Sequence, residues 1–191
     1  MLSVLVIDES RSRAGEICAG LALAGYQVAA ILADSQGLTA EVEKLKPDVI
    51  LIDTDSPSRD TLEHLAAMNK NMPRPVVMFT QAEGQTTIRD AVKAGVSAYV
   101  VDGVDAKRIK PIVEVARASF EEYQALRKEL DEVSQKLSDR KLVEKAKGVL
   151  MRARGLDEDG AYHALRKLAM ERGQPMVAVA KDVIDMAKLL L

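Results

Sequence analysis

The first 110 residues alternate between two hydrophobic patterns. Short runs rich in β-branched residues are separated by segments whose apolar positions recur at helical spacing; the runs lie at 3–7, 27–32, 48–53, 75–80 and 97–101. Five strands that alternate with helices predict a parallel sheet with right-handed crossovers and helices on both faces. The expected fold class of this part is therefore α/β, with a doubly wound sheet.

One long helical pattern follows the last strand. Its apolar residues recur every three or four positions, close to a coiled-coil heptad, and neither Pro nor Gly occurs between Ile112 and Lys147. So polar a helix cannot leave its apolar seam uncovered. A second copy of the chain is the simplest cover, and packing on the chain's own domains is the alternative. The seam consists of Phe120, Tyr123, Leu126, Leu130, Val133 and Leu137.

Two shorter helices are predicted at the end of the chain, so that this part is all-α. Gly155 suits the end of the long helix, Asp157 can cap the next helix, and Gly173 can stop it. Pro175 suits the first turn of the last helix. Together with the end of the long helix, the two shorter helices are predicted to form a three-helix module. Packing roles in its small core are assigned to Ala146, Gly148, Leu150, Met151, Ala161, Leu165, Ala169 and Met170.

The composition is that of an ordinary globular protein, with 48% hydrophobic and 29% charged residues and a net charge of −2. A single cysteine excludes an intrachain disulfide. The N-terminus lacks a basic region, and no apolar run approaches the roughly 20 residues of a membrane span, so a cytoplasmic location is predicted. Two histidines, no Ser/His/Asp set and no phosphate-binding glycine loop argue against an enzyme.

Acidic residues follow the predicted strands at the edge where functional groups gather in such sheets. Asp8 and Glu9 follow the first strand, Asp53 ends the third, and Thr80 ends the fourth. Clustered carboxylates favour a hard cation such as Mg²⁺, and a carboxylate can also accept a phosphoryl group. Taken singly, each residue could instead cap a helix or face solvent.

Basic residues are concentrated near the C-terminus. From Arg140 to Arg172 there are nine basic and five acidic residues, a local balance of +4 in a chain of net charge −2. The spacing of Lys141, Lys147 and Arg154 predicts one shared helix face. Gly148 costs the helix about 1 kcal/mol relative to Ala, which suggests that another helix or a ligand comes close. Charge alone leaves two interpretations open, a solvated face on a dimerisation bundle and an anion-binding surface.

Residues 1 to about 118 resemble a response-regulator receiver domain, a flavodoxin-like fold. The motifs are "DE" at 8–9, "DTDSP" at 53–57, "FT" at 79–80 and "AGVSAYVVD" at 94–102. The resemblance implies that Asp53 is the phosphoacceptor position, that Asp8 and Glu9 are the metal-binding pair, and that Thr80 and Tyr99 are switch residues.

One departure from the receiver pattern is serious. Receivers carry a lysine where this chain has Asp102. Two unit charges about 4 Å apart interact by roughly 4 kcal/mol at an effective dielectric constant near 20, so a carboxylate there penalises phosphorylation. An atypical receiver, or pseudo-receiver, switched by a protein partner is expected. No cofactor is expected to be required, and Mg²⁺ binding stays open.

Residues 139–184 resemble an ANTAR domain, the RNA-binding antiterminator module named after the AmiR and NasR regulators. The matching pieces are "RKLVEKAKGVLM", "AYHALRKLAM" and "VAVAKDVI". The resemblance implies a receiver-like domain at 1–118, a coiled-coil linker at 119–138 and an ANTAR domain at 139–191. The group that it resembles most contains AmiR and the nitrate-assimilation antiterminators of the NasT type.

That group implies a function in transcription antitermination. Its members bind tandem hairpins with six-nucleotide loops in mRNA leaders, as dimers, and a nitrate-sensing (NasS-like) partner sequesters the NasT type. Tyr162 and His163 are further candidates for RNA contact, although the helical spacing of Tyr162 also suits a place in the core. The residues expected to contact RNA are Lys141, Lys145, Lys147, Arg152 and Arg166.

Two alternatives belong to other functional classes. One is a conventional phospho-activated response regulator with a DNA-binding output. The last helix, "PMVAVAKDVIDMAKLLL", is too apolar for a recognition helix, which counts against it. The other is a protein-interaction module in which the charges are only a solvated face.

Overall fold

The computed structural model describes residues 1–9, 13–101, 103 and 105–190 of the 191-residue chain, without the side chain of residue 190. These residues divide into two compact units, 1–124 and 125–191, and each unit is described by itself. The predicted order of an α/β part followed by an all-α part is confirmed.

Five parallel strands form the sheet of the first unit, in the order β2-β1-β3-β4-β5. The three central strands are buried almost throughout, which explains their continuous runs of Val, Ile, Leu and Met. The edge strands β2 and β5 are only partly buried. The strands are β1 (Ser3–Asp8), β2 (Gln27–Leu32), β3 (Val49–Thr54), β4 (Val76–Thr80) and β5 (Ala98–Val101).

Seven helices occur in the described part of the chain. Helices α2, α3 and α4 cover one face of the sheet, over a core that includes Leu38, Leu65 and Ala91. Helix α1 and the start of α5 cover the other face through Ile17, Leu21 and residues of the first turns of α5. The helices are α1 (Ala14–Leu23), α2 (Leu38–Leu45), α3 (Arg59–Asn71), α4 (Gln85–Ala94), α5 (Ala106–Arg154), α6 (Glu158–Arg172) and α7 (Met176–Leu190).

The second unit is a three-helix module, as predicted. Gly155 and Gly173 adopt positive φ angles of 63° and 61° directly after α5 and α6, the left-handed conformation that ends a helix. The side chain of Asp157 caps α6 by accepting a hydrogen bond from the backbone N–H of Gly160 at 2.8 Å. The last turns of α5 share one core with α6 and α7. Its central residues are Ala146, Leu165, Ala169, Val179, Ala180 and Ile184.

The predicted packing roles are correct for most of this core, and wrong at four positions. Met170 is 74% exposed and Met151 37% exposed, so both face solvent on the outer sides of their helices. A Cβ atom on Gly148 would meet nothing within 4 Å, so no neighbouring helix of this chain explains that glycine. Tyr162 is also exposed, so its placement in the core is wrong.

Candidate functional site

The carboxyl edge of the sheet brings together side chains from three strands. β1 and β3 pair in a register that sets Asp8 beside Asp53, and β3 and β4 set Thr54 beside Thr80. Asp8, Asp53 and Thr80 are all buried. Buried carboxylates need compensating charge or hydrogen bonds, because an uncompensated charge away from water is unstable. The edge is therefore a polar site built into the core.

Arg13 supplies positive charge to this edge, and it is the residue that the sequence analysis missed. Its Nε donates to Oδ2 of Asp53 at 2.7 Å, and its Nη2 donates to Oδ1 of Asp55 at 3.1 Å. The hydrogen bond that Arg13 donates to Asp53 is the main reason why the pKa of Arg13 is raised. The available signal in the sequence was a basic residue just before α1, but the sequence does not show which carboxylate this residue contacts.

Glu9 is joined to the start of α3. Its Oε1 accepts a hydrogen bond from Oγ1 of Thr61 at 2.8 Å, and Ser58 caps the same helix by accepting from the backbone N–H of Thr61 at 3.0 Å. Within the described residues, no three His, Cys, Asp or Glu side chains are arranged to hold a metal ion. Arg13 contacts Asp53, and Thr61 contacts Glu9, so two of the three predicted acidic residues are bonded to other side chains of the protein.

The two switch positions meet at the backbone of Ala82. Thr80 accepts a hydrogen bond from the N–H of Ala82 at 3.1 Å and donates from its hydroxyl to the carbonyl of Asp55, also at 3.1 Å. Tyr99 donates from its hydroxyl to the carbonyl of Ala82 at 2.8 Å. The predicted switch side chains thus hold one residue of the β4–α4 connection between them. Asp102 lies outside the described residues.

Four of the five predicted RNA contacts are exposed on the second unit. Lys141, Lys145 and Arg152 follow one another on α5 at spacings of four and seven residues. At 3.6 residues per turn, this places them within an arc of about 40°. We call these three residues the basic stripe. Arg166 is exposed on α6.

Lys147 occupies a different environment. It is only 7% exposed, and its Nζ lies 2.8 Å from Oε1 of Glu144 and 2.8 Å from Oε1 of Glu158. These hydrogen bonds, led by that to Glu144, raise the pKa of Lys147, while the bond from Lys147 lowers the pKa of Glu158. Lys147 thereby ties α5 to the first turn of α6. The predicted common face of Lys141, Lys147 and Arg154 is wrong, because Lys147 is packed where Lys141 is exposed.

The two aromatic candidates sit side by side on α6. The rings of Tyr162 and His163 form an edge-on pair with centroids 6.0 Å apart, and Nδ1 of His163 lies 3.0 Å from the carbonyl oxygen of Asp159. Both side chains are exposed. They are therefore accessible to a ligand, although their role in binding stays a prediction.

These features define a response regulator whose receiver-like domain precedes an all-α output module. Residues 4–114 match the response regulator receiver domain family, and residues 131–191 match the ANTAR domain family. The chain belongs to the ANTAR-domain response regulators. Among the described residues, no helix is both long enough and apolar enough to cross a membrane.

Three regulators illustrate the family relationship. The transcriptional regulatory protein PdtaR of Mycobacterium tuberculosis is 31% identical over 161 residues, which are 84% of this chain and 78% of that protein. The nitrate regulatory protein of Klebsiella oxytoca is 36% identical over 88 residues, which are 46% of this chain and 22% of that protein. The aliphatic amidase regulator of Pseudomonas aeruginosa is 24% identical over 123 residues, covering 64% of this chain and 63% of that protein.

Solved structures share the fold of the first unit. The signal receiver domain of a modulated diguanylate cyclase from Desulfovibrio desulfuricans G20 superposes with a TM-score of 0.56 at 20% identity, covering 63% of this chain and 97% of that one. A CheY-like receiver domain protein from Methanospirillum hungatei JF-1 gives a TM-score of 0.55 at 19% identity, covering 64% and 98%.

Proposed function

We propose that this regulator binds RNA hairpins in mRNA leaders and thereby prevents a transcription terminator from forming. The observation that carries the proposal is the basic stripe together with Arg166, all within the segment that matches the ANTAR domain. In the described chain, none of these four side chains lies within 4 Å of a carboxylate oxygen. Their charges are therefore available for phosphate oxygens.

The proposed targets are tandem hairpins, each with a six-nucleotide loop. Proteins read RNA sequence mainly in loops, because the A-form duplex hides its base edges. Two loops call for two ANTAR domains, and the linker seam supports pairing of two chains. Tyr123, Leu126, Leu130, Val133 and Leu137 are each more than half exposed on α5. A row of apolar side chains at heptad spacing is best covered by the same row of a second copy.

The proposed input is a sensor protein and not a phosphoryl group. The hydrogen bond from Arg13 to Asp53 supports this, because a guanidinium already satisfies one oxygen of the predicted phosphoacceptor. The carboxylate of Asp102 in the sequence adds to the argument. By analogy with the nitrate regulatory protein, we assign nitrate or nitrite assimilation genes as targets and a NasS-like nitrate sensor as the partner. The proposal includes no catalytic reaction and no required cofactor.

A phospho-activated regulator with DNA-binding output is the second candidate. Its support is the receiver fold alone. Helix α7 carries only two basic residues, and one of them, Lys188, lies 2.8 Å from a carboxylate oxygen of Asp185. Such a helix offers little to a major groove.

A binding titration separates the two candidates. The protein is titrated with an RNA that carries two hairpins with randomised six-nucleotide loops, from which tight binders are selected and sequenced. The selected RNA, the same RNA with one altered loop, and a duplex DNA of equal length are then compared at two salt concentrations. We expect the selected RNA to bind most tightly and its affinity to fall as salt rises, because the stripe displaces counterions.

A matched pair of variants localises the binding. Lys145→Ala removes a charge from the basic stripe, and Lys136→Ala removes an exposed charge from the linker part of the same helix. Only the first is expected to weaken RNA binding and reduce its salt dependence. Equal affinity for RNA and duplex DNA, or equal effects of the two variants, would contradict the proposal.

A further inference from the structure

A groove lies between the three helices of the second unit, next to one end of the basic stripe. It has a volume of about 880 Å³ and is formed by the last turns of α5, the C-terminal half of α6 and the C-terminal half of α7. Its volume is within the range of about 300–1,000 Å³ that is typical of ligand-binding clefts. The sequence analysis did not find it, because it arises only where the three helices meet.

The floor of the groove is apolar. Leu150 of α5, Leu168 of α6, and Val183 and Met186 of α7 line it. Met186 is 55% exposed although its neighbours in the groove are partly buried. An apolar ligand surface could therefore contact Met186 and the partly buried side chains beside it.

The rim of the groove is basic. Four of its side chains carry positive charge, Arg152, Arg154, Lys167 and Arg172, and one, Glu171, carries negative charge. Arg172 lies 3.2 Å from Asp182, and Lys167 lies 3.9 Å from Glu171. Among the described residues, Arg152 and Arg154 have no carboxylate oxygen within 4 Å. The occupant of the groove therefore combines an apolar surface with nearby negative charge.

An unpaired RNA base meets both requirements. Its ring faces are apolar, and its own phosphates lie within reach of a surrounding rim. An apolar helix would cover Arg152 and Arg154 without giving them a counter-charge, which disfavours it. Arg152 belongs to both the basic stripe and the rim, so an RNA strand that follows the stripe leads into the groove.

The groove contains no aromatic side chain among its lining residues, so the base would be held in another way. The thioether of Met186 is polarisable and makes favourable contacts with aromatic rings. Tyr162 and His163 do not line the groove.

We infer that the groove between α5, α6 and α7 receives one or more unpaired bases of the RNA loop, with Met186 and Leu168 against the base and Arg152 and Arg154 on the flanking phosphates. The inference rests on the proposed RNA-binding function and adds where the loop is recognised. According to this inference, the apolar groove recognises the bases of the loop, and the basic stripe binds the RNA backbone.

Two groove variants and one matched control test the inference. Met186→Glu and Ala153→Glu place a carboxylate in the groove from two different helices, and both positions are exposed enough to accept it. Met170→Glu makes the same change at a 74% exposed methionine outside the groove. Thermal unfolding, sedimentation and affinity for the selected two-hairpin RNA are measured for each variant. The fluorescence of 2-aminopurine, placed at each loop position in turn, is measured with each variant and with the wild type.

We expect both groove variants to bind the RNA about tenfold or more weakly, and Met170→Glu to bind like the wild type. In the wild type, at least one loop position should change its 2-aminopurine fluorescence, and the groove variants should abolish that change. If the groove variants bind normally while Lys145→Ala binds weakly, the groove inference is overturned and the RNA function stands. A wild type without RNA affinity overturns both. A change in sedimentation with normal RNA affinity also overturns the inference, because the groove then contacts protein.

Discussion

One guanidinium, that of Arg13, joins two carboxylates at the end of the third strand, with Nε 2.7 Å from Oδ2 of Asp53 and Nη2 3.1 Å from Oδ1 of Asp55. Asp53 is fully buried, and Asp55 is largely exposed. The positive guanidinium therefore compensates the buried charge of Asp53 and also bonds to the exposed carboxylate of Asp55.

The stability of the first unit should depend on this pair. Arg13→Ala is expected to lower the free energy of unfolding by about 1–3 kcal/mol, because a buried carboxylate loses a charged hydrogen-bond donor. Urea unfolding at pH 7 measures the change. Arg59→Ala, which removes an exposed ion pair with Glu63, is the control and should have little effect.

A double-mutant cycle tests whether Asp53 is the cause. Asp53→Asn removes the charge that Arg13 compensates, so Arg13→Ala should be less destabilising in the Asp53→Asn background. Additive effects of the two substitutions would show that Arg13 stabilises the unit by another route.

Phosphorylation of Asp53 should be negligible. Arg13 already bonds to the carboxylate, and Asp102 adds a negative charge to the sequence where receivers have a lysine. Incubation of the wild type with acetyl phosphate and Mg²⁺, followed by intact-mass measurement, is expected to give no phosphoryl adduct. Stoichiometric modification that disappears in Asp53→Asn would refute this and favour the phospho-activated alternative.

Substitution of Gly148 by Ala should raise the stability of the helix and lower the affinity for RNA. It lies between Lys145 and Arg152 on the stripe side of α5, and its missing Cβ faces open space. Gly148→Ala is therefore expected to stabilise the helix by up to about 1 kcal/mol. If the RNA backbone approaches Gly148, the same change weakens RNA binding.

The control for Gly148 is Gly15→Ala in α1, where a Cβ also meets nothing within 4 Å. It should not alter RNA affinity. Thermal unfolding and RNA titration of both variants give the comparison. A Gly148→Ala protein that is more stable and binds RNA normally would show that no ligand comes close to this position.

The linker seam should hold two chains together. Leu130 is 67% exposed at the centre of the seam, so Leu130→Glu is expected to shift the protein from dimer to monomer in sedimentation. Lys128→Glu, two residues away and off the seam, is the control. Affinity for a two-hairpin RNA should fall more than affinity for a single hairpin, because the monomer loses the second binding site. A wild type that sediments as a monomer at all concentrations would rule out this use of the seam.

The ion pairs of Lys147 predict a specific pH dependence of stability. The lowered pKa of Glu158 stabilises the fold above its ordinary value of 4.5, and this contribution is lost as the pH falls through the lowered value. The raised pKa of Lys147 stabilises the fold below its ordinary value of 10.5, and this contribution is lost as the pH rises through the raised value. The difference in Tm between the wild type and Lys147→Met should therefore be constant near neutral pH and shrink toward both extremes.

Thermal unfolding from about pH 3 to pH 11 measures that difference. Lys167→Met is the control, because its only described ion pair spans 3.9 Å between exposed side chains. A Lys147→Met protein that matches the wild type at neutral pH would exclude a structural role for the two ion pairs.

The sequence was sufficient to predict the sheet and the order of the helices. Runs such as "DVILID" are short, apolar and rich in β-branched residues, which favours buried strands, and the structure has a fully buried β3 there. The ends of α5 and α6 were also predictable, since Gly155, Asp157 and Gly173 act locally through backbone conformation and capping.

The environments of charged side chains were not predictable in the same way. Lys147 and Lys145 are both lysines in one helix, and only the packing of α6 against α5 makes one buried and the other exposed. Arg13 reaches Asp53 across 40 residues of sequence through a connection whose path the pattern does not specify. Met151 and Met170 fit the apolar spacing, but both are exposed.

The environment of Lys147 has a consequence for alanine scanning of the ANTAR segment. Of the five predicted contacts, all within the described chain, Lys147 is the one that is buried and bonded to two glutamates. A Lys147→Ala protein can lose RNA affinity simply because α6 is no longer fixed to α5. Such a loss would look like the loss of a direct contact, and only a melting curve recorded beside the titration tells the two apart.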